Sequence, residues 1–240
     1  MGFSGLEPIF LGVHDIAAMK VSSLTKPEYR KKYEDAYNAD LRRYGGELTL
    51  EKVNKKLLNL RKAREEFIKR WRQSGTRRPL SKRMVIGMNH FLLPPAHLKE
   101  EETIDNALEL GGIAEFLYAE KLPSFRLPLY YKEYIIMVVP DGVADDYAYE
   151  FKATTQSDEE VEKTRDQAVR QAYLYAYTFK RPNIKAQVAQ FHLLEREFPI
   201  QIRDLPKPDI LTIFTAAPED EALRILSDFD TTFRSGTEQK

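Results

Sequence analysis

The most constraining stretch of the 240-residue chain is Tyr131 to Lys152, YKEYIIMVVPDGVADDYAYEFK. An apolar run, Tyr134 to Val139, reaches Pro140-Asp141, crosses the acidic corner Ala144-Asp145-Asp146 and returns as Tyr147 to Lys152. Two β-rich runs around a polar corner predict a hairpin. Side chains alternate across a strand, so Glu150 and Lys152 share one face with small Ala148, while Tyr147, Tyr149 and Phe151 take the other. If Asp145-Asp146 is a two-residue loop, the register sets Asp141 directly opposite Glu150, with Cβ atoms about 4.5–5.5 Å apart. Facing carboxylates repel unless a cation sits between them, and Lys152 adds a positive group to the same patch. Asp…Glu-x-Lys therefore reads as a divalent-metal site. The plain alternative is a turn residue beside a surface-paired carboxylate.

Pro140-Asp141…Glu150-x-Lys152 resembles the motif of the PD-(D/E)xK nuclease superfamily. Gln171-Ala172-Tyr173-Leu174-Tyr175 is similar to the Q-x-x-x-Y helix motif of its RecB-type members. Gly111-Gly112-Ile113-Ala114-Glu115 is similar to their G-x-x-x-H helix, with Glu in place of His. That group includes recombination exonucleases and the nucleases of CRISPR spacer acquisition. The resemblance spans Gly111 to Tyr175, about a quarter of the chain. It implies an α/β fold with a restriction-endonuclease-like core, a mixed central sheet flanked by helices, and a metal-dependent deoxyribonuclease. It also implies the backbone carbonyl of Phe151 as a metal ligand beside Asp141 and Glu150. Gln171 and Tyr175 then brace the site or touch the substrate strand, unless they are simply a helix face packed on the sheet. Glu115 either supplies an extra metal ligand or marks a changed site. The ligand reading is preferred, because a hard oxygen there strengthens a second metal position.

Phosphodiester hydrolysis requires an attacking water to lose a proton and a leaving oxygen to gain negative charge, work suited to a hard cation. A cradle of two or three carboxylates that leaves room for water suits Mg²⁺ or Mn²⁺. Lys152 is then expected to orient or help deprotonate the water and to stabilise charge at the phosphate. The chain has no cysteine, which excludes disulfides, thiolate zinc sites and the iron–sulphur cluster that several RecB-type relatives hold. No apolar run approaches a membrane span, and the start lacks the basic and apolar regions of a signal peptide. An intracellular location is expected, in the cytoplasm, with a viral or archaeal host cell among the sources considered.

Net charge is zero but unevenly spread. Lys20 to Arg83 carries 20 Lys and Arg against 8 Asp and Glu, whereas Met84 to Lys163 carries 6 against 16. The asymmetry suggests a basic lobe beside an acidic, metal-attracting site, or two lobes that attract each other. Residues 1–100 are read as a basic, mostly helical N-terminal lobe and residues 101–240 as the nuclease core. Within the lobe, Thr49 is expected to cap a helix from Leu50 to about Gln73. Its apolar stripe is Leu50, Val53, Leu57, Leu60, Phe67 and Trp71. The opposite face carries Lys55, Lys56, Arg61, Lys62, Lys69, Arg70 and Arg72. Such a face either contacts phosphates, with Lys62, Lys69 and Arg70 as candidates, or is a solvated surface.

Met84 to Leu98 reads as an apolar connector, whose His90 and His97 are weak ligand candidates without a partner cluster. Glu100 to Lys121 is expected to be helical, burying Leu108, Leu110, Ile113, Phe116 and Leu117. Ser157-Asp158-Glu159-Glu160 predicts a capping box opening a helix to Phe179. Strands are expected at Ala186–Glu195 and Asp209–Ala216, a last helix at Pro218–Phe233, and a loose tail from Ser235.

Three functions stay open at this point. The preferred one is a nuclease hydrolysing phosphodiester bonds in single-stranded DNA or at DNA ends. A second is a structure-selective endonuclease similar to Holliday-junction resolvases, which implies a homo-oligomer. The third is a non-catalytic DNA-binding protein on a decayed nuclease fold.

Overall fold

The computed structural model describes residues 8–19, 26–46, 49–155, 157–194 and 197–237. The fold is mixed α/β, with mixed sheets. Strand β1 (Ile9–Gly12) runs parallel to β4 (Tyr134–Val138), which pairs antiparallel with β3 (Leu127–Tyr131). A two-stranded pair joins β2 (Thr103–Ile104) to β8 (Ile200–Gln201), a short strand that the sequence pattern does not reveal. The four-stranded sheet runs β5 (Gly142–Val143), β6 (Tyr147–Thr154), β7 (Asn183–Gln190) and β9 (Asp209–Ala216). Strands β6 and β7 are parallel, and the other neighbours in this sheet are antiparallel.

The runs Tyr134–Val139 and Tyr147–Lys152 are therefore not two arms of one hairpin. Strand β4 ends one residue before Val139-Pro140, and proline has no N–H to give to a ladder. The chain then leaves the first sheet, and only Gly142–Val143 pairs with β6. The register is nonetheless the expected one. Gly142 faces Tyr149 and Val143 faces Ala148, so one further step sets Asp141 against Glu150.

Seven α-helices are described. Helix α1 (Val13–Ala17) follows β1, and α2 (Pro27–Tyr44) opens on a proline at its first turn and closes on left-handed Gly45 (φ 68°). Thr49 caps α3 (Leu50–Gln73) by accepting from Lys52 N at 3.3 Å. Val53 and Leu57 of α3 are buried, but Phe67 is 41% exposed, so the expected stripe packs only through the first half of the helix. The presumed connector after Arg83 contains a helix, α4 (Lys82–Gly87), and a 3₁₀ turn at His90–Leu92. Ser81 caps α4 at Met84 N.

Helix α5 (Ala107–Tyr118) starts seven residues later than Glu100, because Thr103–Ile104 is a strand and Asn106 caps the helix at Glu109 N, 3.0 Å. Its buried residues are Leu110, Ile113, Ala114 and Phe116. Leu108, two residues from Leu110 and so about 200° around the helix, is exposed, as is Leu117. Helix α6 (Asp158–Phe179) does begin after Ser157, but the serine side chain makes no cap hydrogen bond. Asp158, Glu159 and Glu160 instead complement the dipole of the first turn. Helix α7 (Glu219–Thr237) continues into the tail expected to be loose, and Ser235 Oγ donates to Thr231 O. Glu195 and the chain beyond Thr237 lie outside the described residues. None of the described helices is long and apolar enough to cross a membrane.

Parallel strands require a crossover, and α6 supplies it between β6 and β7. The helix thereby covers the β6 face that carries Ala148. Ala148 joins a core cluster with Ala172, Leu174, Tyr175 and Phe179 of α6, Ile225 and Phe229 of α7, and Leu11, Val13 and Ile16. Tyr149 and Phe151 point the other way, into a second cluster with Val85 of α4, Leu110, Ile113 and Phe116 of α5, and Phe191. Strand β1 thus ties a segment from the first hundred residues into a sheet with β3 and β4.

Two glycines separate tight packing from open space. A Cβ on Gly142 would lie 2.5 Å from Leu122 Cβ, whereas one on Gly111 would meet nothing within 4 Å. Gly142→Ala is expected to cost about 1–3 kcal/mol through overpacking. Gly111→Ala, inside α5, is expected to stabilise by up to about 1 kcal/mol. Urea unfolding of the two variants checks both signs.

Candidate metal centre

The faces of β6 and α6 meet at a cavity of ≈ 400 Å³. Its lining includes Asp141, Glu150, Lys152, Gln171 and Tyr175, together with His14, Lys32, Tyr33 and Arg126 from outside the core motif. Alternation along β6 puts Glu150 and Lys152 on the α6 side. The four-residue spacing of Gln171 and Tyr175 stacks both on the helix face above them. Asp141 sits at the edge-strand end of this wall, where its Oδ2 accepts from Phe151 N at 2.7 Å. Lys152 Nζ forms an ion pair with Glu150 Oε1. Glu150 is only 1% exposed, yet its Oε2 has no hydrogen-bond partner, and neither does Oε1 of Gln171, itself 2% exposed.

The electrostatics follow from this crowding. Burial pushes the Asp141 carboxyl well above its ordinary range, and the charges of Glu150 and Glu115 push in the same direction. Lys152 and the Phe151 N–H oppose that rise without cancelling it. Burial alone pulls the Lys152 ammonium down, but Glu150, Asp141 and Glu115 outweigh it and hold the group above its usual value. Tyr175 is driven well above the phenol range by burial and then by Glu150 and Asp141. The Lys152 ammonium thus offsets only part of what burial and the neighbouring carboxylates do to Asp141.

Buried acceptors normally find a donor, so two orphan oxygens beside two close carboxylates call for a positive ligand. Among the described residues no three His, Asp or Glu side chains gather into a closed metal cluster. The donors are instead two carboxylates, a side-chain amide oxygen and adjacent backbone. That open set fits a hard cation that keeps part of its water, as Mg²⁺ does, better than a caged structural metal.

Glu115 does not line the cavity, but its charge acts on both Asp141 and Lys152. Its nearest basic group is one that sequence spacing had set aside. His90 Nδ1 lies 3.1 Å from Glu115 Oε1, and the imidazole is 10% exposed. Asn89 caps the 3₁₀ turn at Phe91 N (2.9 Å), and Arg64 Nε of α3 donates to Phe91 O (2.5 Å). Gly112 lets Ile86 of α4 approach to 3.1 Å of a would-be Cβ, which brings the His90 segment against α5. Tertiary packing of α4 on α5 joins these two residues 25 positions apart, so a local motif search could not find the pair.

The basic face of α3 divides. Arg61 ion-pairs with Asp145 and donates to Val143 O at 2.6 Å, holding the turn between β5 and β6. Arg181, just beyond α6, donates to Ala144 O and to Asn54 Oδ1 of α3, both at 2.8 Å. Lys56 lies over the Tyr44 ring, 3.6 Å from its centroid. Attraction between the basic and acidic segments thus accounts for part of the charge asymmetry. Lys62 and Lys69 are exposed, and Arg70 makes an exposed pair with Glu66 at 3.2 Å, a class of contact worth little. None of these three lines the cavity.

No protein-family model matches the chain, and no curated protein matches it either.

The raised Asp141 carboxyl has a stability consequence in metal-free protein. The folded state holds this proton more tightly than the unfolded state, whose value is near 3.8. The associated stability is present below that value and is lost as pH rises through the raised folded value. Asp141→Asn is expected to flatten this slope and to raise the metal-free Tm at pH 7. Each kcal/mol gained corresponds to about 2–4 °C in a chain of this size. Thermal unfolding of both proteins across pH 4–8 in EDTA checks it.

Proposed function

We propose that the chain is a metal-dependent nuclease that hydrolyses phosphodiester bonds in DNA, acting on single strands or on ends. The observation that carries this reading is the meeting of Asp141, Glu150 and Lys152 on one cavity wall, where buried Glu150 Oε2 and Gln171 Oε1 lack partners. The resemblance to RecB-type nucleases, and with it a restriction-endonuclease-like core, supports the same assignment. Asp141 and Glu150, with the Phe151 carbonyl, would hold Mg²⁺ or Mn²⁺. When bound, such a cation lowers the proton affinity of water and neutralises charge at a phosphoryl oxygen.

The chain's own groups have defined tasks. The Lys152 ammonium, held by Glu150, can shift to an incoming phosphate oxygen and hold its developing charge. The Phe151 N–H fixes one Asp141 oxygen, which leaves the other directed by the remaining site. Tyr175 is protonated and buried, so it can donate to Glu150 or a substrate oxygen but cannot act as a base at neutral pH. Gln171 braces the same wall. Exonuclease and endonuclease action share this chemistry and differ in how the surrounding surface admits the strand.

End-labelled single-stranded, double-stranded and branched DNA, with Mg²⁺, Mn²⁺ or EDTA, provides the test. Metal-dependent cleavage that falls about 10²–10⁴-fold in Lys152→Ala supports the assignment. Tight binding without cleavage in any metal contradicts it and favours the non-catalytic reading. Lys62→Ala and Lys69→Ala are each expected to weaken DNA binding and to lower the salt slope by about 1, with metal affinity unchanged. Filter binding between 50 and 200 mM salt measures this.

A further inference from the structure

We infer that Lys32 of α2 grips the substrate phosphate next to the one being cut, so that the cavity takes a single strand rather than a duplex. The inference rests on the nuclease reading above and names a substrate contact beyond Asp141, Glu150 and Lys152.

Part of the cavity wall comes from the start of the chain, where His14, Lys32, Tyr33 and Ala36 line it. Strand pairing puts them there. Gly12, at the end of β1, lies opposite Met137 of β4, and Met137 and Val139 line the same cavity just before Asp141. Tyr33 fastens α2 to this end of the sheet. Its hydroxyl donates to Asp15 Oδ2 at 3.4 Å, and Asp15 is 1% exposed. A Cβ on Gly12 would lie 2.4 Å from the Tyr33 hydroxyl oxygen, so a side chain there would displace that contact. Lys32 and Ala36, four residues apart, share the helix face that lines the cavity.

Partners decide which cation on this wall can reach a substrate. Arg126 also lines the cavity, but Asp40 holds its guanidinium through two hydrogen bonds, 2.6 and 2.8 Å. His14 Nε2 lies within 3.3 Å of the Tyr29 and Tyr33 hydroxyls. Lys32 is exposed and makes no ion pair among the described residues. Its ammonium lies over the Tyr33 ring, 5.7 Å from the centroid. An exposed contact of that kind is weak, so the ammonium can swing to an anion at small cost. The acids that line the cavity are Asp141 and Glu150, both placed by β5 and β6. A phosphodiester strand complements the two walls together: one phosphate at the cation held by the carboxylates, the next at Lys32. The volume of ≈ 400 Å³ lies toward the lower end of the range for small-ligand sites, about 300–1,000 Å³. That is room for a nucleotide, not for a base-paired helix.

Thymidine oligonucleotides that each carry one neutral methylphosphonate test the contact, with Lys32→Ala and Lys31→Ala beside the wild-type chain. Lys31 is exposed on the same helix but does not line the cavity. In the wild type, a methylphosphonate beside the cleaved bond should lower kcat/KM about tenfold, the loss of one charged contact. Lys32→Ala should lose about tenfold on the unmodified strand, and the same methylphosphonate should then cost nothing further. Lys31→Ala should keep the wild-type pattern. Binding in EDTA gives a readout that needs no cleavage: Lys32→Ala should lower the salt slope for oligothymidylate by about 1. A blunt duplex should compete poorly. Lys32-dependent binding without cleavage supports the contact and removes the nuclease reading. Cleavage with an unchanged methylphosphonate penalty in Lys32→Ala overturns the inference and leaves the nuclease reading intact. Equal competition by the duplex overturns the single-strand assignment.

Discussion

The structure turns on two carboxylates, Asp141 and Glu150, which one further step of the β5–β6 register sets opposite each other. Left alone, such a pair is destabilising, because burial strengthens repulsion and removes water. The surrounding chain both enforces the contact and mitigates it. Gly142 admits Leu122 so closely that any side chain there would push the edge strand away. Arg61 and Arg181 clamp the turn at Val143, Ala144 and Asp145. Phe151 N–H and the Lys152 ammonium touch the pair directly and offset only part of the rise at Asp141. A site that departs from the usual rule of satisfied buried polar groups is where function is expected to reside.

The parallel crossover explains why this pair lies beneath a helix rather than in open solvent. Because α6 returns the chain from β6 to β7, it must lie over one sheet face, and the β6 pleat puts Glu150 and Lys152 on that face. Tyr149 and Phe151 then anchor the strand from the opposite side, in the core built around α4 and α5. One strand thus carries the Glu150–Lys152 face and the Tyr149–Phe151 face with period two. Shifting its register by a single residue would bury the acids in the wrong core.

Much of this was legible in the chain itself. The Asp145-Asp146 corner fixed the register, strand alternation separated Glu150 and Lys152 from Tyr149 and Phe151, and the four-residue spacing set Gln171 above Tyr175. Asp209–Ala216 is a strand over the whole expected range, and α3 begins and ends where its cap and composition put it. What the sequence did not reveal depends on distant packing. Pro140 divides what reads as one hairpin between two sheets, and β4 pairs instead with β3 and with β1 from far upstream. Leu108 and Leu117 are apolar yet exposed, and α5 begins where Asn106 caps it after β2 rather than at Glu100. His90 meets Glu115 through the α4–α5 contact over Gly112, which no local pattern encodes.

The central claim is that Asp141 and Glu150 share one cation. Anomalous diffraction from crystals soaked in Mn²⁺ measures this directly. A peak bonded to an oxygen of each residue, with the Lys152 ammonium moved off Glu150, is the predicted result. Crystals that retain the Lys152–Glu150 ion pair and show no anomalous density between the two carboxylates would contradict the account.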